Sequence, residues 1–341
     1  MTVSETPTAP ATPGAPPPSG PSGRRLDRAW WQALAIRYAM VWVMLLVILF
    51  FSYRSARFGT LDNLQTIAVA AAPFALIALG QTLVILTGGI DLSVGSVIAV
   101  SGMTGAAFAV AFPGQVLPAV VGAVAVGLLA GAINGALVAA VGVPPFIATL
   151  GMLTAASGVA YVIGGGAPIN GLPPEFGRIA NTTVFGLQIP IVLMIVGIVG
   201  LGLMMRRTSY GMRIYAVGGN RAAAEIAGIR SGRILFSVYA ISGALAGISG
   251  LMLASRVISG APNLGQGYEL DAIAAVVIGG ASLLGGRGTI WGTALGLLLI
   301  QTLNNGLDLL VVPAYWQNVI KGVLIVAAVA VDIWATRRRV T

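Results

Sequence analysis

The sequence predicts an all-α membrane protein, a polytopic transmembrane helical bundle of about ten spans with both termini in the cytoplasm. Hydrophobic residues make up 57% of the 341 positions and charged residues only 9%, against roughly 25% charged residues in soluble domains. Apolar runs recur along nearly the whole chain, far beyond the one or two cores that a soluble protein of this length buries. Lipid is therefore expected to cover most of the apolar surface.

Ten segments approach the roughly 20 residues that an α-helix needs to cross about 30 Å of hydrocarbon. The fifth and the eighth are short and interrupted by glycine, which predicts broken or re-entrant helices. An even number of spans returns the C-terminus to the side of the N-terminus. The approximate limits are 38–53, 65–87, 92–112, 116–141, 146–163, 186–205, 234–254, 270–284, 289–311 and 316–335.

The first 36 residues are expected to form a disordered, Pro-rich cytoplasmic tail followed by a basic pre-membrane segment. Residues 1–23 are rich in Pro, Ala, Thr and Gly and contain nothing that would pack. No apolar run follows within the first 30 residues, so this stretch is not expected to be a signal peptide. Residues 37–341 then form the membrane domain. The arginines ahead of the first span are Arg24, Arg25, Arg28 and Arg37.

The orientation of the bundle follows from the loop at residues 206–233. This loop carries six of the nineteen basic residues and a single acid, Glu225. Arginine in the middle of a bilayer is costly, and the positive-inside bias places such a loop in the cytoplasm. Fourteen basic residues then lie inside, including Arg287 and the three at 337–339, and Lys321 lies near or inside the last span. The basic residues left outside are Arg54, Arg57, Arg178 and Arg256.

A short helix is predicted within this loop. Asn220 is a good N-cap, residues 221–227 are mostly strong helix formers, and Gly228 suits a left-handed C-cap. A helix of about seven residues is marginal alone in water, so it is expected to dock on another surface. The alternative is a solvated loop that only maintains the topology. The residues spaced to form one apolar stripe on this helix are Ala222, Ile226 and Ile229.

Several kinds of chemistry are excluded by composition. The chain has no Cys and no His, which excludes disulfides, thiolate chemistry and His-ligated metals. No G-x-x-x-x-G-K-[ST] phosphate loop occurs, so any ATPase must be another polypeptide. We therefore predict no catalytic residues, no metal and no cofactor. The basic residues lie at segment ends and in one loop without interleaved aromatic residues, so they indicate topology and contact with membrane lipid rather than nucleic acid.

Polar side chains within the apolar runs are the remaining candidates for a transport path. Each of them needs a partner or water in such surroundings. They are predicted to line a pore for a hydroxyl-rich solute, and interhelical hydrogen bonds are the alternative. The six candidates are Gln81, Thr82, Asn134, Gln301, Asn304 and Asn305.

Three carboxylates and one loop have less specific signals. Asp91 is expected at a cytoplasmic turn, where it would cap the third helix. Glu269 and Asp271 lie at an external segment end and are too few for an acid and base pair. The external stretch at 164–183 is either a docking surface for a partner protein or a connecting loop.

Five motifs in collinear order resemble the permease subunit of bacterial ribose-type ABC importers. They are LGQTLVILTGGIDLSVGSVIAVSG at 79–102, PPFIATLGML at 144–153, YGMRIYAVGGNRAAAEIAGI at 210–229, GYELDAIAAVVIGGASLLGGRGTIWGT at 267–293 and LNNGLDLL at 303–310. The similarity covers roughly residues 40–335. It implies a multi-pass permease of the bacterial cell membrane that imports a small polar solute, such as a pentose or hexose.

The resemblance also implies partners. A second copy of the permease or a related permease, ABC ATPase subunits and a soluble solute-binding protein are expected. The segment at 218–229 matches the helix that couples such permeases to their ATPases. The residues expected in that coupling role are Gly218, Gly219, Asn220, Ala222, Ala223, Glu225, Ile226, Ala227, Gly228 and Ile229.

Two other functions were weighed against this one. A self-sufficient secondary sugar transporter or channel should carry acidic residues in mid-span for ion coupling, whereas Asp308 and Asp332 lie near span ends. An intramembrane enzyme would need paired catalytic groups or metal ligands, and the lack of His and Cys removes most of these. Neither class fits the sequence as well as an importer subunit.

Overall fold

The computed structural model describes residues 39–337, most of which lie in α-helices, and each of the ten predicted segments coincides with a helix. The predicted tail, with Arg24, Arg25, Arg28 and Arg37, and the terminal Arg338 and Arg339 lie outside the described residues. The helices are α1 Ala39–Arg54, α2 Leu61–Leu86, α3 Val94–Ala111, α4 Val116–Ala136, α5 Pro145–Ile163, α6 Pro174–Asn181, α7 Ile189–Arg207, α8 Ser209–Gly219, α9 Arg221–Ile226, α10 Ser231–Val257, α11 Tyr268–Ile278, α12 Ile290–Leu309 and α13 Ala314–Arg337.

Six of these helices are long and apolar enough to cross a membrane: α2, α3, α4 with its extension to Val141, α5, α7 and α10. The chain is therefore an all-α, multi-pass membrane protein, as predicted. The helix α1 is apolar but shorter. The total of ten spans stays a prediction.

The helix α2 forms the centre of the bundle, since 94% of its most apolar stretch is buried. It begins where the Thr60 hydroxyl accepts the N–H of Asn63 at 3.3 Å. Pro73 lies inside the helix, and Ser249 of α10 donates to its carbonyl at 3.0 Å. A proline interrupts the helical hydrogen-bond pattern, and a hydroxyl from a neighbouring helix satisfies a backbone group there. This hydrogen bond connects α2 to α10 within the core.

The helices α4 and α10 cross with almost no side chains between them. A Cβ on Gly127 would lie 2.7 Å from Gly247 Cα, and one on Gly131 would lie 2.9 Å from Gly243 Cα. Small residues every four positions let two backbones approach closely, which is how helices associate in lipid. Most of the glycine in these two helices is therefore used for packing.

Of the two predicted interruptions, the one in the fifth segment lies elsewhere than expected. The fifth predicted segment is the continuous helix α5, whose Gly151 and Gly158 face open space and do not break it. The break precedes it, where α4 continues as a π-helical turn over Leu137–Val141 and stops at Gly142 with φ of 82°. The eighth predicted segment is α11, an 11-residue helix that rises only about 16 Å, roughly half the hydrocarbon thickness.

The stretch at 164–183 is ordered against the end of α10. It contains α6 and leads into a hairpin of β1 Thr183–Val184 and β2 Leu187–Gln188. Ser255 of α10 donates to the Phe176 carbonyl at 2.6 Å and accepts from the Ala180 N–H at 2.9 Å. We call the end of the bundle that carries residues 206–233 the basic end, and the opposite end carries α6.

Candidate functional site

The predicted short helix at the basic end is present as α9, with both of its caps. Asn220 is extended at φ of −160°, and its side chain accepts the N–H of Ala223 at 3.0 Å. Gly228 has φ of 82°, a conformation that glycine adopts without strain. The N–H of Ile229 then bonds to the Ala224 carbonyl at 2.9 Å, as in a Schellman cap. The helix α9 therefore ends at this glycine.

The helix α9 rests on one residue and exposes the others. Ala224 is buried, whereas Ile226 is 89% exposed. The predicted stripe of Ala222, Ile226 and Ile229 does not form, because the left-handed Gly228 ends the helix and turns Ile229 toward the core. Arg221 and Glu225 pair at 3.1 Å on the exposed surface. The other exposed residues of the predicted coupling set are Gly219, Asn220, Ala222, Ala223, Ala227 and Gly228.

Where α8 ends, three backbone segments meet with no side chain between them. Gly218 packs against the Leu86 carbonyl at the end of α2, and a Cβ on it would lie 2.8 Å from the Gly286 N. The N–H of Gly286 donates to the same Leu86 carbonyl at 2.9 Å. We call this contact of Leu86, Gly218 and Gly286 the glycine floor. Sequence reasoning missed the part of it at 285–288, although the glycines at 285, 286 and 288 are a visible signal of close backbone approach.

Two tyrosines attach α8 to the same end. Tyr215 donates to the Gly288 carbonyl at 2.8 Å, and the hydroxyls of Tyr210 and Ser237 lie 2.7 Å apart. Burial raises the pKa of both tyrosines above the ordinary value, because it disfavours the phenolate. Both hydroxyls therefore stay protonated and able to donate at physiological pH.

Asp91 lies inside the bundle, so its prediction as the cap of the third helix is wrong. The N-cap of α3 is Ser93, and the Asp91 carboxylate accepts from the Ser93 N–H at 2.9 Å and the Ser93 hydroxyl at 2.6 Å. Ser242 of α10 donates to its second oxygen at 3.3 Å. The segment after α2 folds back into the bundle, where its polar groups are hydrogen-bonded.

Three of the predicted pore-lining residues surround this segment or bond to neighbouring helices. Gln81, with its amide oriented to satisfy both atoms, donates to the Asp91 carbonyl at 3.1 Å and accepts from its N–H at 3.2 Å. Asn134 donates to the Ser93 hydroxyl at 2.9 Å. The hydroxyls of Thr82 and Thr293 lie 2.7 Å apart. All three candidates are fully buried, and these contacts match the interhelical alternative.

The other three candidates lie together on α12 but differ in their partners. Asn305 exchanges two hydrogen bonds of 2.9 Å with Asn63 of α2. The Gln301 Nε2 and the Asn304 Oδ1 are buried without a partner among the described residues. These two side chains keep unused hydrogen-bonding capacity.

A polar cavity of about 230 Å³ lies between α3, α5 and the segment leading into α11. None of the six predicted residues lines it. Glu269 does, and its carboxylate accepts the Gly267 N–H at 3.3 Å. The nearby Asp271 points elsewhere and pairs with Lys321 of α13 at 3.0 Å. The polar residues that line the cavity are Ser96, Ser157, Tyr161, Asn263, Gln266 and Glu269.

A family profile described as the permease component of a branched-chain amino acid transport system matches residues 63–329. The ribose import permease protein RbsC of Escherichia coli K12 is 42% identical over 321 residues, covering 91% of this chain and 97% of that protein. The D-allose transport system permease protein AlsC of the same strain is 37% identical and covers 87% and 91%. The galactofuranose transporter permease protein YtfT is 41% identical and covers 77% of each. No solved structure matches the chain.

These matches extend over most of the membrane domain and agree with its helical, multi-pass structure. The chain is a transport subunit and not an enzyme, and its family implies a separate ATPase and a solute-binding protein as partners. The chain belongs to the family of permease subunits of bacterial ABC importers.

Proposed function

We propose that this permease imports a monosaccharide, and that its ATPase docks on α9. The helix α9 carries the proposal, because it is capped at both ends and displays its outer face, and only Gly219 and Asn220 separate it from Gly218 of the glycine floor. Relatives named for ribose, D-allose and galactofuranose support a sugar as the solute. In this proposal the chain has ten spans, both termini are cytoplasmic, and a second permease copy completes the path.

The glycine floor explains how ATPase motion reaches the membrane helices. Gly218 lies at the end of α8, next to α9, and touches the backbone of Leu86 and Gly286 directly, so a displacement of α9 that moves the end of α8 is not absorbed by side-chain rotation. It passes to the end of α2 and to the loop that follows α11. Coupling of this kind needs a continuous, closely packed chain of contacts between two sites.

The helix α11 connects the glycine floor to the polar cavity. Its first turn contains Glu269, which lines the cavity, and the loop after its last residue reaches Gly286. Hydroxyls, amides and a carboxylate suit the alternating donors and acceptors of a sugar. We therefore infer that solute enters beside Ser96, Asn263 and Glu269, and that α11 links this entry to ATPase closure.

The pore-lining role is retained for two of the six predicted residues. Gln301 and Asn304 have free polar atoms, which a passing sugar would satisfy. Gln81, Thr82 and Asn305 already have protein partners, and Asn134, whose Oδ1 is also without a partner among the described residues, is held by its bond to the Ser93 hydroxyl, so breaking those contacts during transport would be costly. Leaving these four in place as bundle contacts is the simpler proposal.

Bulk on the outer face of α9 tests the coupling proposal. Ala223→Arg and Gly228→Trp should each weaken association with the ATPase by roughly tenfold to a hundredfold, the range expected from interface misfit. The measurements are co-purification of the ATPase and sugar uptake by whole cells. Thr183→Arg on the opposite end is the control for added charge. Gly228→Asn is the control for the left-handed cap, because Asn tolerates that conformation.

Both controls should keep near-normal uptake. If Ala223→Arg and Gly228→Trp also leave association and uptake unchanged, α9 only maintains the topology.

The orientation is tested by single cysteines, which report cleanly because the native chain has none. An impermeant thiol reagent added to intact cells should label a cysteine at Thr183 and spare one at Ala223, since both sites are exposed and lie at different ends. Membrane disruption should then expose the second site. The reverse pattern would refute cytoplasmic placement of the basic end.

A further inference from the structure

Two grooves meet at the start of α10 and share two arginines. The first, of about 630 Å³, lies between α8 and the residues that open α10, and Arg213, Arg230 and Arg233 line it. The second, of about 570 Å³, lies against the end of α4 and is lined by Arg230 and Arg233 together with small and apolar residues. The apolar residues of this second groove are Ala136, Ala139, Ala140 and Phe236.

The positive charge in these grooves is not balanced by acidic residues in the described part of the chain. No acidic residue lines either groove. Glu225, the acid of this loop, pairs with Arg221, and none of the three groove arginines has a carboxylate within salt-bridge distance among the residues whose side chains the structure describes. Three neighbouring guanidinium groups repel one another, so an anion that they share would be bound favourably.

The apolar groove is open because the helix is locally irregular and the side chains beside it are small. The π-helical turn at Leu137–Val141 widens the end of α4, and alanines and Gly232 leave the space beside it unfilled. Phe236 is 43% exposed and Val141 is 70% exposed. An apolar surface on a membrane helix normally faces acyl chains. The second groove therefore has the chemistry for a hydrocarbon chain next to the arginines.

We propose that these joined grooves bind one anionic phospholipid. Its phosphate is held by Arg230 and Arg233, with Arg213 contributing from α8, and an acyl chain lies along Ala136–Ala140. Basic pockets beside transmembrane helices are suited to acidic headgroups. A docking protein would supply a carboxylate for the first groove but no hydrocarbon for the second, which is why a lipid is favoured over the ATPase. The proposal does not depend on the transported solute.

Such a lipid would also support the coupling helix. Arg230 follows the C-cap of α9 by two residues, and Ala227, Gly228 and Ile229 line the first groove. A bound headgroup would hold the end of α9 in place relative to α10. Sugar-stimulated ATPase activity of the complete transporter is therefore expected to rise with anionic lipid content.

Lipid retention by the purified permease tests the site directly. The full chain in neutral detergent is mixed with dioleoylphosphatidylglycerol or dioleoylphosphatidylcholine, and retained lipids are counted by native mass spectrometry. We expect preferential retention of the glycerol lipid by the wild type. The double variant Arg230→Gln/Arg233→Gln should weaken it by roughly 30-fold, from the usual contribution of two arginines near a membrane surface.

Two further variants separate this site from general electrostatics. Arg206→Gln/Arg207→Gln removes the same charge from the same end, and neither residue lines a groove, so retention should stay within about twofold of wild type. Ala140→Trp keeps every charge and fills the exposed acyl groove, so it should reduce retention. Inorganic phosphate should not displace the lipid, because it makes no apolar contact. Melting temperatures without lipid confirm that each variant is folded.

Several outcomes would overturn the proposal. Equal retention of both lipids, or equal loss in the two arginine variants, would assign the effect to diffuse surface charge. Retention that persists in Arg230→Gln/Arg233→Gln while the ATPase dissociates would make the first groove a protein docking surface. If the arginine variant fails to fold, normal retention by Ala140→Trp is sufficient to refute the site.

Discussion

The two ends of the bundle are held together in different ways. At the basic end, the glycine floor brings Leu86, Gly218 and Gly286 into direct backbone contact. At the opposite end, side chains reach across the gaps. Asn63 pairs with Asn305, Ser255 bonds to α6, and Lys321 pairs with Asp271. The basic end adds the side-chain bonds of Tyr215 and Tyr210 to this backbone contact, whereas the contacts named here for the opposite end are all made by side chains.

The difference corresponds to what each end has to do in the proposed mechanism. Backbone contacts without side chains cannot adjust by rotamer changes, so they transmit a displacement. Individual side-chain hydrogen bonds contribute about 1 kcal/mol each, so a few can break and re-form when the opposite end opens to solute. Substitutions at the basic end should therefore have severe effects on stability and transport. Substitutions at the opposite end should have effects that range from moderate to small.

The largest expected effect is that of Gly218→Val. Its side chain would occupy the position of the Leu86 carbonyl, and overpacking of this kind costs about 3 kcal/mol at the upper end of the usual range. Uptake should be lost, and the purified protein should melt at a lower temperature. The neighbouring Gly219→Ala is the matched control, because a Cβ there meets nothing within 4 Å. Equal behaviour of the two variants would remove the glycine floor from the mechanism.

An intermediate effect is expected for Lys321→Met, which leaves the Asp271 carboxylate without its partner. Breaking a fully buried pair costs about 3 to 5 kcal/mol, and the partial exposure of both side chains, 21% and 10%, reduces this to about 2 kcal/mol. The measurement is the melting temperature of the purified permease. Adding Asp271→Leu should restore most of the stability, because an apolar pair of similar volume needs no counterion. If Lys321→Met alone is as stable as wild type, the ion pair does not hold this end of the bundle together.

The smallest effect on stability is expected at Asn305. Asn305→Leu removes two hydrogen bonds, but Asn63 keeps its bond to the Phe58 carbonyl at 2.8 Å, so the loss should be about 1 to 2 kcal/mol. Asn304→Leu is the matched comparison. It replaces a buried oxygen that has no partner, so it should leave the melting temperature unchanged while lowering sugar uptake. A loss of stability without loss of uptake at Asn304 would contradict its role in the path.

Local sequence information was sufficient for much of this molecule. The helix positions follow from apolar runs, because each helix satisfies its own backbone hydrogen bonds and needs only lipid or neighbouring helices around it. The helix α9 was predictable with both caps, since Asn220 and Gly228 act on backbone groups three or four residues away. The importer family was also predictable, because its motifs are continuous stretches of sequence.

Only the tertiary structure decided which distant residues meet. The return of Asp91 into the bundle, the separation of Glu269 from Asp271, and the contact of Gly218 with Leu86 and Gly286 all join parts of the chain that no local pattern relates. The predicted stripe on α9 failed for a local reason, because the predicted cap at Gly228 ends the helix before Ile229. Hydrophobicity and capping act within a few residues, whereas close packing depends on which surfaces the whole fold brings together.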